Sequence, residues 1–166
     1  AYPFRSRISF LSRLPGTKDI ITALGWCFVC VYVPAASQGL LMSKSAWLAF
    51  SYGLLLVFIR SVILSIGAEN KDIMLGKESF YKAFGINATK TAIGLIIAAL
   101  TAVLIQLLIM GWKSGIVFML LLGQIYTIII AVYFYSRKTP RTTASETFID
   151  GQFFVLALLT YLAVRF

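Results

Sequence analysis

Histidine is absent from all 166 residues. That removes the side chain most often used as a general base and as a nitrogen ligand for metals. Cysteine is scarce: Cys27 and Cys30, both in the run WCFVC, are the only two. A structural zinc site takes four nitrogen or sulfur ligands, so this pair does not make one. Both thiols sit in the middle of an apolar run, where a cysteine packs as a small hydrophobe. They say nothing about a redox compartment. Charge is also short, at 13% of residues, against about 25% in a soluble domain. Internal repeats and low-complexity tracts are absent too, and no apolar run resembles a cleaved signal peptide.

Apolar residues are plentiful, at 60% of the chain. A soluble domain of this size needs a polar shell, which this composition does not supply. A bilayer needs such residues, because each spanning helix takes roughly 20 mostly apolar positions. Five apolar runs stand out: 20–36, 46–66, 91–112, 115–135 and 148–166. The first is the short one, at 17 residues. The expected fold is therefore all-α: an integral membrane helical bundle of about five transmembrane helices, forming one membrane domain over 1–166. The chain begins with Ala1 rather than Met, which suggests processing, truncation or a longer parent protein.

A net charge of +9 invites a nucleic-acid reading. The placement of the cations gives a better account. Between the runs, Lys and Arg number 4, 1, 4, 1, 3 and 1 along the chain, and Arg60 alone lies within a span. That alternation is the positive-inside pattern. It predicts a cytoplasmic N-terminus, cytoplasmic loops at 67–90 and 136–147, and no nucleic-acid partner.

Several polar residues invite a role. Arg60, in GLLLVFIRSVILSIG, lies six residues before the end of its run, about 9 Å at 1.5 Å per residue. Two readings stand: a cation lining an internal cavity, or an arginine snorkelling to the headgroups. Gln106 and Gln124 are expected to hydrogen-bond between helices, or to meet a quinone or lipid. Gly94, Ala98, Ala99 and Ala102 are expected to form a close-packing face. Asn87-Ala88-Thr89 fits the N-glycosylation pattern, but its expected cytoplasmic side makes the match accidental.

The loop GAENKDIMLGKESFYKAFGINATK carries the most polar chemistry. If the second helix continues into it, Ser65, Glu69 and Asp72 share one face. Two carboxylates so spaced suit magnesium, which takes one or two carboxylates plus substrate phosphates. Lys77 follows a glycine and would neutralise a phosphate. The plainer reading is a set of solvated charges at a helix end.

The stretch RSVILSIGAENKDIMLGKESFYKAFG resembles the second aspartate-rich region of the UbiA family of intramembrane prenyltransferases. There the family carries an apolar helix, Asp-x-x-Asp-x-x-x-Asp, an apolar pair, Gly-Lys or Gly-Arg, and Thr or Ser. SRLPGTKDIITALGW, over 12–26, resembles the segment entering the family's fifth helix. FIDGQFFVLALL, over 148–159, resembles the start of its last helix. The chain thus looks like the last five helices of the UbiA fold. The resemblance implies transfer of a polyprenyl group from its diphosphate to an aromatic or lipid acceptor. It implies magnesium at Asp72 and Glu69, and diphosphate contacts from Lys77 and Arg60. Where the family has three aspartates, this sequence has Ser65, Ala68 and Asp72, and no first aspartate-rich motif is present. Activity would then need an N-terminal half or partner subunit supplying that motif. The alternative is an inactive UbiA-like accessory subunit of a membrane complex, holding lipid, quinone or pigment. Either way the expected partners are the bilayer, an isoprenoid or quinone-like lipid, and other membrane subunits. A transporter or channel is the weakest reading, since no pair of broken helices is visible.

Overall fold

In a computed structural model, residues 16–67, 80–112, 114–136 and 143–165 are described. Helices take 92% of these residues, and among them there is no strand. Four stretches are long and apolar enough to cross a membrane: Thr17–Ser37, Lys44–Ile66, Phe80–Ile109 and Gly115–Tyr135. The fifth expected span falls in a further helix, Thr143–Arg165. Exposed apolar side chains such as Val29, Leu95, Ile125 and Phe154 cover these helices. In water so many exposed apolar side chains would aggregate; hydrocarbon is their natural solvent, so this is an integral membrane protein.

Two compact units divide the chain, Ala1–Thr89 and Lys90–Phe166. The first unit is built on a helical hairpin. Its first rod comprises α1 (Thr17–Cys27), a π-helical turn (Phe28–Tyr32) and α2 (Val33–Ser37). It is longer than the expected 20–36. The π-turn sits just before Pro34, whose ring would meet the Cys30 carbonyl in a regular helix. Widening the turn moves that carbonyl away, and the Val33 N–H bonds to the Phe28 carbonyl instead. Gly39, at φ 68°, turns the chain. Ser43 Oγ accepts the Ala46 N–H at 3.1 Å and so caps α3, Lys44–Gly67.

α4 spans Phe80–Ile109, with Gly85 at φ 79°, ψ 168° inside it. That backbone region is essentially open only to glycine, so a short helical piece precedes the break and the long rod follows it. The helix therefore begins inside the expected 67–90 loop, which is shorter by its last eleven positions. Thr89 lies within the helix, fully buried, and its Oγ1 donates to the Gly85 carbonyl at 2.7 Å. Asn87 itself is exposed, but it lies on a helix rather than in a loop. At the other end Gly111 (φ 69°) closes the helix, with Trp112 N–H on the Leu107 carbonyl and Gly111 N–H on the Leu108 carbonyl.

The second unit holds the rest of α4, α5 (Ser114–Ser136) and α6 (Thr143–Arg165). Lys90 and Tyr135 tie α4 to α5 reciprocally. Lys90 Nζ donates to the Tyr135 carbonyl at 3.2 Å, and Tyr135 Oη donates to the Lys90 carbonyl at 3.0 Å. The ammonium also sits 5.4 Å from the Tyr135 ring centroid. Tyr126 Oη donates to the Phe148 carbonyl at 2.9 Å and joins α5 to α6. Gly151 admits this contact, since a Cβ there would lie 2.8 Å from the Tyr126 hydroxyl.

Two packing expectations are corrected. Gly94, Ala98, Ala99 and Ala102 are exposed. The buried face of α4 is Thr89, Ile93, Ile97, Leu100 and Leu104 instead. Lipid is as apolar as leucine, so a helix that is apolar all round has no polar side to fix which face turns inward. Gln106 is likewise exposed, whereas Gln124 is buried beside Thr127 on the inner face of α5.

Candidate functional site

The polar centre of the first unit is a carboxyl group that belongs to none of the predicted site residues. Asp19 stands in the first turn of α1 and is wholly buried. Its Oδ1 accepts from Ser61 Oγ at 2.6 Å and from Ser65 Oγ at 3.2 Å. Its Oδ2 accepts from the Phe80 N–H at 3.0 Å. One side chain thus joins the start of α1, the end of α3 and the start of α4. All three contacts use the carboxyl as an acceptor. The α1 N-terminus adds the positive end of a helix dipole. The Ser65 proton is shared, because its hydroxyl also lies 2.9 Å from the Ser61 carbonyl. Ser61 is therefore the stronger partner.

Local packing supports this arrangement. Gly16 precedes α1 at φ 80°, and a Cβ there would stand 3.0 Å from Cδ2 of Phe80. Only glycine lets the chain enter the helix so close to that ring. Phe80 packs edge-on against Phe58, centroids 5.8 Å apart, and against Phe84 at 4.6 Å. The residue whose N–H binds Asp19 is thus itself held in an aromatic cluster.

Of the residues the sequence singled out, Arg60 lies on α3 immediately before Ser61 and is half-buried. Glu69, Asp72 and Lys77 lie outside the described residues, between the Ser65 and Phe80 that Asp19 holds. The proposed shared face of Ser65, Glu69 and Asp72 is described only at Ser65, whose hydroxyl is turned to Asp19. Among the described residues no group of three potential metal ligands occurs. In the second unit, Gln152 is 2% exposed and its Nε2 has no hydrogen-bond acceptor among the described residues.

Asp19 was legible in the sequence only as one acidic residue before an apolar run. The usable signal is a lone carboxyl one turn into a membrane helix, with two serines four residues apart at the far end of the next helix. Intramembrane carboxyls need partners, and an i, i+4 serine pair presents two donors on one face.

Searches for related proteins return none: no family model, no curated protein and no solved structure matches this chain.

Proposed function

We propose that this chain is part of a UbiA-like membrane protein whose segment 68–79 takes the diphosphate head of an isoprenoid lipid, as a step in prenyl transfer to an aromatic or lipid acceptor. The observation that carries the reading is the Asp19 carboxyl, which binds Ser65 just before that segment and Phe80 just after it. Both ends of the segment are held at one end of a membrane hairpin, where a headgroup lies when its tail enters the hydrocarbon. Lys77 and Arg60 supply cations for the diphosphate, and Glu69 and Asp72 supply carboxylates. The cation counts support placing this end in the cytoplasm.

The resemblance brings magnesium with it. Glu69 and Asp72 are hard oxygen donors of the kind magnesium prefers. The first of the three aspartate positions is Ser65, and its hydroxyl faces Asp19. The donor set is therefore short of the family's. That shortage favours a second reading: a UbiA-like accessory subunit that holds the lipid without turning it over.

The test uses the full-length protein with any partner subunits, in vesicles. Binding of a polyprenyl diphosphate is expected to weaken about tenfold in Lys77→Ala and in Asp72→Asn, the scale of one lost charged contact. Unchanged binding in both variants overturns the headgroup reading. Prenyl transfer that stops in Asp72→Asn establishes the enzyme. Retained binding with no transfer in the unaltered assembly establishes the accessory subunit.

A further inference from the structure

The other end of the first hairpin is built differently. α1 and α3 lie close at Cys27 and Gly53, where a Cβ on Gly53 would be 3.5 Å from the Cys27 sulfur. Beyond that point, towards the 38–43 turn, the two rods leave a groove of about 370 Å³. Phe28, Tyr32 and Ala35 line one wall, and Ala46, Trp47 and Phe50 the other. Phe28 and Tyr32 stack at 4.8 Å, while Trp47 and Phe50 meet edge-on at 6.3 Å. These rings leave the floor apolar and the mouth open to the surroundings, with Phe28, Tyr32 and Trp47 about half exposed.

We propose that this groove holds one acyl chain of an anionic phospholipid from the leaflet that faces the 38–43 turn. Three observations select that occupant. The volume suits one chain: at about 30 Å³ per water-sized group it holds roughly a dozen methylene-sized groups, far less than a helix. The only polar side-chain atoms in the lining belong to Tyr32 and Trp47, residue types that meet headgroups at the membrane interface. Lys44 is exposed in the first turn of α3, two residues from both Met42 and Ala46 of the lining. It supplies a cation where the lipid phosphate would lie. None of the lining residues belongs to the 68–79 segment, and the proposal does not depend on the function proposed for that segment.

The full chain in vesicles of phosphatidylcholine and phosphatidylglycerol, doped with a phospholipid carrying a diazirine in its acyl chain, tests this directly. Photolabelling at Phe28, Tyr32, Trp47 and Phe50 is expected to exceed, several-fold, that at Leu95 and Ile125, which are 66% and 52% exposed on other helices. Ala46→Trp fills the groove and should bring labelling down to that reference level. Ala35→Leu should lower it in part, and serves if the tryptophan variant does not fold. Phosphatidylglycerol probes should label the groove roughly five-fold more than phosphatidylcholine probes, the effect of one basic residue at an anionic surface. Lys44→Gln should remove that preference. Groove labelling no higher than at Leu95 and Ile125 overturns the proposal. So does labelling that is indifferent to Ala46→Trp and Ala35→Leu, or a headgroup preference that survives Lys44→Gln. Crosslinking of these positions to a second protein chain also overturns it, and makes the groove a protein interface.

Discussion

The two ends of the first hairpin face the same problem with opposite solutions. At one end a buried Asp19 draws Ser61, Ser65 and the Phe80 amide onto itself, and Gly16 lets the chain approach the Phe80 ring. At the other end the rods are separated by an apolar groove with rings on its walls. In hydrocarbon there is little hydrophobic drive between helices, so association rests on packing and hydrogen bonds. The Asp19 end has both, and losing the carboxyl takes an acceptor from Ser61 and from the Phe80 N–H, while Ser65 keeps the Ser61 carbonyl. The groove end has neither requirement, because lipid fills a gap that protein leaves. Structural specificity is thus concentrated at the end next to the polar segment, and tolerance at the end next to the turn.

The largest expected effect breaks the tied end. Asp19→Ala orphans the Ser61 hydroxyl and the Phe80 N–H in a buried place, at about 1–3 kcal/mol each. The loss should be about 3 kcal/mol in unfolding from mixed micelles. Asp19→Asn keeps one acceptor oxygen and should lose about half as much. An Asp19→Ala protein as stable as the parent would remove the contrast between the two ends. Ser61→Ala should come next, at about 1–2 kcal/mol, as the loss of the short hydrogen bond to the buried carboxyl. Ser65→Ala should cost clearly less, because its contact is longer and its proton is shared with the Ser61 carbonyl. Equal losses for the two serines would contradict that ranking.

Gly85 separates backbone from packing. Its φ of 79° with ψ 168° is closed to residues with a Cβ, yet nothing lies within 4 Å of where that Cβ would be. Gly85→Ala should therefore cost about 1–3 kcal/mol from the backbone alone. Gly25 and Gly94, with open space around them and ordinary helical φ, should tolerate alanine or gain slightly. Thermal unfolding of the three variants side by side reads the difference.

The helices themselves were legible because the bilayer imposes their length. The described part of every apolar run is helical apart from 110–112, which form the turn closing α4, so only the ends moved. The 20–36 run extended to 17–37 once the π-turn accommodated Pro34. The 91–112 run reached back to Phe80, because Gly85 interrupts the helix without ending it. Which face turns inward was not legible. Composition placed Gly94, Ala98, Ala99 and Ala102 at an interface, and they are exposed, because spacing alone cannot orient a helix that is apolar on every side. Asp19 was missed for the converse reason. Its significance lies in contacts with residues 42, 46 and 61 positions away, and no local pattern reports those. The polar segment with Glu69, Asp72 and Lys77 was visible as chemistry, and the Asp19 contacts add only that its ends are held.

The smallest expected effect is the sharpest test of the tolerant end. Ala46→Leu adds apolar volume to the groove between Tyr32 and Phe50. Inside a close-packed core such an addition costs about 1–3 kcal/mol of strain. Here the added groups displace lipid from an open groove, exchanging one set of dispersion contacts for another. Unfolding stability should change by less than about 0.5 kcal/mol, as at a surface position away from special features. A loss near 2 kcal/mol would mean that the rods are already in contact at Ala46, and that this end is as specified as the one held by Asp19. A gain of similar size would mean that the groove is an unfilled packing defect rather than a surface that lipid completes.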